Sequence, residues 1–375
     1  MKYYIISGEA SGDLHGSRLI SAIRNLDHQA QIRAWGGDKM KAAGATIVKH
    51  YRDLAFMGFA EVVANLPTIL RNMRFCKKDV SDFQPDVVIL IDYPGFNLPM
   101  AKYAKAKELK VIYYISPQLW AWKEGRVHTI KRVVDRMLVI LPFEKAFYRK
   151  WGIEVDYVGH PLIETIEEFK KHNQPEVIRS SWGIDPNQNV IAILPGSRKQ
   201  EISAMLPIMM DAAAQFPNET FYVAQAPGID DAFITSFTNS LKNVRIIKGK
   251  TYDLLSIATA AWVTSGTATL ETALFKVPLV VCYKGSPLSY AIAKRVIKVK
   301  YISLVNLILD RPAVPELIQH DLTPARLIEE LHRILHDAKH QETFKRSTVE
   351  LDNILMEDGK ASEKAAAIIL NELNR

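Results

Sequence analysis

The sequence predicts an α/β protein built from two doubly wound parallel-sheet domains, and three observations carry that expectation. Short apolar runs alternate with helix-length amphipathic stretches along the 375 residues. The run Val87-Val88-Ile89-Leu90-Ile91 is apolar without interruption, as a strand buried on both faces of a parallel sheet must be. In the second half, Asn189-Val190-Ile191-Ala192-Ile193-Leu194-Pro195-Gly196-Ser197-Arg198 and Trp262-Val263-Thr264-Ser265-Gly266-Thr267-Ala268-Thr269-Leu270-Glu271 each run from an apolar strand through a small glycine turn into a helix. That layout aims backbone N–H groups at phosphate.

Taken in order, strands are expected at residues 3–7, 32–35, 87–91, 111–115 and 136–140, with helical patterns between them. A polar, charged stretch at 164–181 separates these from a second series at 190–194, 220–224, 244–247, 261–264 and 279–282. The expected domains are 1–170 and 171–349, with a C-terminal helix in 350–375 packed back on the first. No low-complexity segment or short-period repeat is visible.

Composition narrows the class. A hydrophobic fraction of 48% with 24% charged residues is that of a globular protein. Cys76 and Cys282 lie far apart, with neither a disulfide framework nor metal-ligand spacing, which fits a reducing compartment. The N-terminus has no signal-peptide pattern and no apolar run approaches about 18 residues, so a cytoplasmic chain that does not span a membrane is expected. A net charge of +7 suits phosphorylated small molecules, anionic lipid or nucleic acid. The basic residues form no long arm and no nucleic-acid module, which places nucleic acid last.

Five places could carry chemistry. The turn Ser7-Gly8-Glu9-Ala10-Ser11-Gly12-Asp13 precedes a helix expected from about Leu14. It is neither a P-loop nor a dinucleotide fingerprint, and its two carboxylates would repel phosphate, so it binds neutral hydroxyls or is structural, with Ser11 or Asp13 as an N-cap. Asp92 ends the most apolar strand, where α/β folds bind ligands, and could accept a proton from an attacking hydroxyl; a turn-initiating aspartate is an equal alternative. Arg198 carries a planar fork suited to phosphate, against the alternative of a solvated arginine beside Lys199. Glu271 falls in the second turn of its helix if Thr264 or Ser265 is the cap, within reach of ribose hydroxyls. Finally, residues 56–75 present Val62, Leu66, Ile69, Leu70 and Met73 as one helical stripe beside Arg71, Arg74, Lys77 and Lys78. This is the pattern of a surface-binding helix or acyl slot, with an ordinary core-facing helix as the alternative. His160, in Gly159-His160-Pro161, is read as a packed histidine.

Together the motifs resemble the lipid-A-disaccharide synthase family. The likeness runs through Gly8-Glu9-Ala10-Ser11-Gly12-Asp13, Met57-Gly58-Phe59-Ala60-Glu61-Val62 and Ile91-Asp92-Tyr93-Pro94-Gly95-Phe96-Asn97. It continues with Ser116-Pro117-Gln118-Leu119-Trp120-Ala121-Trp122, Leu141-Pro142-Phe143-Glu144, Leu194 to Arg198, Ser265-Gly266-Thr267-Ala268 and Ser303-Leu304-Val305-Asn306-Leu307. The resemblance implies a GT-B fold, two Rossmann-like domains facing a central cleft. It also implies an inverting, metal-independent hexosyltransferase without cofactor, acting in lipopolysaccharide biosynthesis. Such an enzyme joins UDP-2,3-diacylglucosamine to 2,3-diacylglucosamine 1-phosphate, giving the β-1,6-linked disaccharide 1-phosphate and UDP.

On that resemblance Asp92 is the general base, and Gly196, Ser197, Arg198, Ser265, Gly266, Thr267, Glu271 and Asn306 hold the donor UDP. Gly8, Glu9 and Ser11 lie on the acceptor side. Val62, Leu66, Ile69, Leu70, Met73, Arg71 and Arg74 meet acyl chains and the anionic cytoplasmic face of the inner membrane. A homodimer through exchanged C-terminal segments is also implied. One departure is visible: the family often has a second aspartate in the Asp92 motif, where this chain has Gly95, leaving Asp92 as the motif's only carboxylate. Alternative readings are a GT-B enzyme using a soluble sugar or epimerising a UDP-sugar, and a non-catalytic nucleotide or lipid carrier.

Overall fold

The computed structural model describes residues 1–54, 66–122, 124–286, 290, 299–356 and 359–374. The chain divides into two compact units, one of residues 1–161 with 355–375 and the other of residues 162–354.

Among the described residues, the first unit is built on a parallel sheet of seven strands in the order β3-β2-β1-β4-β5-β6-β7. These are β1 (Lys2–Ile6), β2 (Gln31–Gly36), β3 (Thr46–His50), β4 (Val87–Ile91), β5 (Lys110–Tyr114), β6 (Arg136–Val139) and β7 (Asp156–Tyr157). Alternate residues of the central strands feed two separate cores, because successive side chains of a strand point to opposite faces. Tyr4, Ile6, Val88, Leu90, Val111 and Tyr113 lie in one core. Tyr3, Ile5, Val87, Ile89, Ile91, Ile112 and Tyr114 lie in the other. This is why β4 is apolar throughout. The second core is completed by the C-terminal helix Ala361–Leu373, whose Ala365, Ala366 and Ile369 are fully buried in it.

Strand order fixes where a ligand crevice opens. From β1 the chain winds outward to β2 and β3, then returns to β4 beside β1 and winds the other way. The loops leaving β1 and β4 therefore diverge to opposite faces, and the gap between them at the carboxyl ends is the topological switch point. Those two loops are Ser7–Glu9 and Asp92–Tyr93.

The described residues of the second unit repeat the plan with six parallel strands in the order β10-β9-β8-β11-β12-β13. They are β8 (Val190–Leu194), β9 (Thr220–Gln225), β10 (Val244–Lys248), β11 (Ala260–Thr264), β12 (Leu279–Tyr283) and β13 (Glu316–Ile318). Its switch point lies between β8 and β11, where Leu194 pairs with Val263. The two glycine turns thus leave adjacent strands.

One helix of the first unit is held unusually. The Leu66–Phe83 helix turns Asn72, Cys76, Asp79 and Val80 inward. Asp79 accepts from Tyr4 Oη at 2.6 Å and from Arg33 Nε and Nη2 at 2.8 and 2.6 Å, while Trp35 Nε1 donates to Tyr4 Oη at 2.9 Å. A buried carboxylate with this many donors is satisfied. The helix is anchored by a polar chain, which leaves much of its apolar surface unspent.

Candidate functional site

In the first unit the switch point is built by close approach of two loops. Gly8 is buried beneath the Tyr93 ring: a Cβ added there would lie 2.5 Å from Tyr93 Cδ1. The helix begins at Ala10, four residues earlier than the sequence suggests, so Ser11, Gly12 and Asp13 sit in its first turn. Neither Ser11 nor Asp13 caps it. Asp13 is 3% exposed and accepts from the N–H groups of Gly37 (2.7 Å), Lys39 (3.1 Å) and Met40 (3.0 Å), capping the neighbouring helix Asp38–Ala42. Asp13 is structural, while Glu9 and Ser11 remain exposed at the crevice.

Asp92 stands just beyond β4 in a backbone conformation that side chains disfavour. Its φ is 43° and that of Tyr93 is 48°, both left-handed. Each such residue costs about 1–3 kcal/mol and persists only where its surroundings impose it. Here the imposition is visible. The Asp92 carbonyl accepts from Asn97 Nδ2 at 2.7 Å and from Tyr113 Oη at 2.6 Å, and Asp92 N–H donates to the Tyr114 carbonyl at 3.3 Å. Asn97 and Tyr113 are fully buried. Pro94 then starts the helix Pro94–Ala106.

The Asp92 carboxyl is pushed up to about 6. Water reaches its surface, yet enough protein surrounds the group to penalise the charged form, which is the main cause. The negative charge of Glu9 adds to the rise, and the Tyr93 N–H opposes it. The motif itself carries one carboxylate; the fold brings a second, from the β1 loop.

A further acidic group has no role in the sequence reading. Glu144 is 1% exposed and accepts from Ile140 N–H (3.2 Å) and Leu141 N–H (2.9 Å) at the end of β6. Its carboxyl rises to about 7, chiefly by burial, against those N–H groups and the Ser116 hydroxyl. Ser116 and Tyr148 share a 2.7 Å hydrogen bond beside it. The Ser116 and Glu144 motifs thus form one buried polar joint across β5 and β6. A glutamate three residues after Leu141, in the first turn of a helix opened by Pro142, was the available signal. His160, by contrast, is 6% exposed, lowered to about 3 by burial and then by His15, and stays neutral.

On the Leu66–Phe83 helix the expected stripe divides. Leu66 and Leu70 are 50% and 49% exposed, Ile69 is half-buried, and Met73 turns against the core. Phe75 joins the outward face, together with Arg71, Arg74 and Lys78. Val62 and Met57 to Glu61 lie outside the described residues. Among those described, no helix is long and apolar enough to cross a membrane.

In the second unit both glycine turns place a helix N-terminus at the carboxyl edge of the sheet. Gly196 has φ 110° and Gly266 φ 139°, values that favour glycine. Arg198 caps the helix Lys199–Ala213 through its backbone, and its side chain is 74% exposed. The cap of the Thr267–Leu274 helix is Gly266, not Thr264 or Ser265. Ser265 instead donates to the Ile302 carbonyl at 2.8 Å, joining this turn to the Ser303 segment. The exposed Ser197, Gly266 and Thr267 leave N–H groups at the positive ends of two helices. Glu271 lies in the second helical turn, half-buried, with Tyr252 Oη donating to its Oε1 at 2.7 Å; burial raises its carboxyl and Tyr252 opposes.

Asn306 is bonded within its own unit. It is 1% exposed; Nδ2 donates to the Val314 carbonyl and to Glu316 Oε1, each at 2.9 Å, and Oδ1 accepts from Val314 N–H at 2.9 Å. Its amide is spent on folding the 312–316 loop, so it shapes the wall without offering its side chain to a ligand.

Two parallel doubly wound sheets, each with a polar crevice at its switch point, define the GT-B class of nucleotide-sugar enzymes. Solved structures of this architecture include UDP-GlcNAc 2-epimerase from Neisseria meningitidis bound to UDP-GlcNAc, with TM-score 0.69 and 14% identity over 100% of both chains. Another is the calicheamicin glycosyltransferase CalG4, with TM-score 0.61 and 18% identity over 100% of this chain and 98% of the other. The chain belongs to the Lipid-A-disaccharide synthetase family, a family of glycosyltransferases, whose model matches residues 3–370. The lipid-A-disaccharide synthase of Syntrophus aciditrophicus (strain SB) is 40% identical over 99% of this chain and 97% of that protein.

Proposed function

We propose that the chain is a lipid-A-disaccharide synthase that joins UDP-2,3-diacylglucosamine to 2,3-diacylglucosamine 1-phosphate, giving the β-1,6-linked disaccharide 1-phosphate and UDP. What supports the reading is that each unit carries its own half of the chemistry: the strained Asp92, with its raised carboxyl, stands at the switch point of the first, and Arg198 with two helix N-termini stands at that of the second.

Asp92 takes the proton of the acceptor 6-hydroxyl as that oxygen attacks the anomeric carbon of the donor. The bond from that carbon to the diphosphate oxygen breaks on the opposite side, which inverts the centre. Charge gathering on the departing UDP is met by Arg198, by the N–H groups around Ser197 and by those around Thr267, without a metal ion. Glu271 receives the ribose hydroxyls. Leu66 and Leu70, flanked by Arg71 and Arg74, rest on the anionic cytoplasmic surface of the inner membrane, where both acylated substrates reside. The same reading includes a homodimer through exchanged C-terminal segments, which sedimentation velocity tests.

Incubation with both substrates followed by mass spectrometry tests the reaction: a tetraacyl disaccharide 1-phosphate with stoichiometric UDP is expected, in EDTA as without it. UDP-sugar consumed without disaccharide would defeat the assignment, and activity lost to EDTA and restored by Mg²⁺ would defeat its metal-free form.

A further inference from the structure

Glu201 lies in the first turn of the Lys199–Ala213 helix, and its side chain reaches back over the turn that precedes it. Oε1 accepts from Arg198 Nη1 at 2.8 Å. Oε2 lies 2.7 Å from where a Cβ on Gly196 would be. One carboxylate therefore engages the guanidinium and covers the bare backbone of Gly196. The first N–H groups of any helix have no carbonyl of their own to bond; here the first intrahelical bond comes from Ile202 N–H to the Arg198 carbonyl at 3.0 Å. An acidic side chain at this positive end is stabilised by the helix dipole. The neighbouring cation is turned elsewhere, since Lys199 Nζ pairs with Asp230 at 2.6 Å.

We propose that Glu201 is a displaceable counter-ion: it occupies the diphosphate's place over Gly196 and against Arg198, and nucleotide exchanges with it. Two anions cannot share one arginine and one helix end without repulsion, so the Glu201 side chain swings outward when a diphosphate arrives and competes to return. The residue lowers the affinity for UDP and hastens release of that product, while keeping Arg198 ordered between turnovers. Glu201 is a positioning and affinity-setting residue, since it meets the nucleotide only by exclusion. The inference rests on reading the Gly196 to Arg198 turn as the diphosphate site.

Calorimetric titration of UDP into the full-length protein, its Glu201→Gln variant and its Arg198→Ala variant separates the two claims. Removing one negative charge near the diphosphate is expected to tighten UDP binding about fivefold, the order expected of two charges about 4 Å apart in water. The gain should shrink at high salt, as a charge effect must. UDP should also become a stronger product inhibitor of Glu201→Gln. Weaker UDP binding by Arg198→Ala, with no tightening in Glu201→Gln, would overturn the counter-ion while leaving the diphosphate site standing. Weakening of both variants would make Glu201 a support for Arg198 and overturn the proposal equally. Unchanged affinity in Arg198→Ala would overturn the site reading and this inference with it. Should Glu201→Gln fold poorly, Glu201→Asp keeps an acidic first turn but retracts the carboxylate by one methylene; smaller tightening is expected, and none would count against displacement.

Discussion

Asn97 Nδ2 donates to the main-chain carbonyl of Asp92 at 2.7 Å, and by this bond a fully buried amide holds the left-handed conformation of an exposed acid. The same nitrogen reaches the Ile91 carbonyl at 3.2 Å and the Ile6 carbonyl at 3.4 Å, so one side chain spans two strand ends and the strained residue beyond β4. Replacing Asn97 with alanine removes these three bonds and leaves the carbonyls without that donor, a cost of about 1–3 kcal/mol. The variant should unfold at lower denaturant concentration and lose at least about tenfold in kcat. A drop in stability with unchanged kcat would separate Asn97 from the chemistry.

The pH profile should reveal Asp92. A general base must be ionised, so kcat/KM should fall as pH drops through about 6 rather than through the ordinary carboxylate range. Glu9→Gln removes the like charge that helps raise this group and should move the acid limb to lower pH. Asp92→Asn should lose about 10²- to 10⁴-fold in kcat while still binding UDP. An acid limb unmoved by Glu9→Gln would mean that Glu9 does not tune the base.

Gly8→Ala sets a methyl group against an aromatic ring. The Tyr93 ring atoms lie 2.5 to 2.7 Å from the added carbon, and the ring is itself stacked on Phe96 with centroids 5.7 Å apart. Relief requires moving Tyr93, and with it Asp92. Overpacking of this kind costs about 1–3 kcal/mol, and loss of activity should exceed loss of fold, measured as specific activity of the folded fraction.

Leu66→Ser with Leu70→Ser should leave thermal stability nearly unchanged, because both side chains already face water. Co-sedimentation with anionic vesicles should fall sharply. Unchanged vesicle binding would return this face to an ordinary surface.

Glu144 should make stability depend on pH. Its folded-state value, about 7, lies above its ordinary 4.5, so its contribution is fully present below about 4.5 and is lost as pH rises through 7. Glu144→Gln should therefore flatten the stability curve across that window, with the wild type losing ground to the variant toward neutral pH in urea titrations. Parallel curves would place the carboxyl's titration elsewhere.

The sequence by itself determined the parallel sheets and the glycine turns, because the signals are local. A strand buried on both faces must be apolar throughout, as β4 is, and a turn with positive φ favours glycine, as at Gly196 and Gly266. It did not reveal β3, β7 and β13, which are edge strands, short or only half-buried, and carry no continuous apolar run. Nor could it separate Asp13 from Glu9: the two lie in one turn, yet one is buried capping a second helix and the other stands exposed where its charge raises Asp92. Nor could it show that the Asn306 amide is bonded within the protein, since its partners Val314 and Glu316 are set by the path of a loop. Only the tertiary structure decided which polar groups are spent on folding and which are left for chemistry. Hydrogen bonds between loops of different strands consume side chains that no spacing along the chain can distinguish from those at a site.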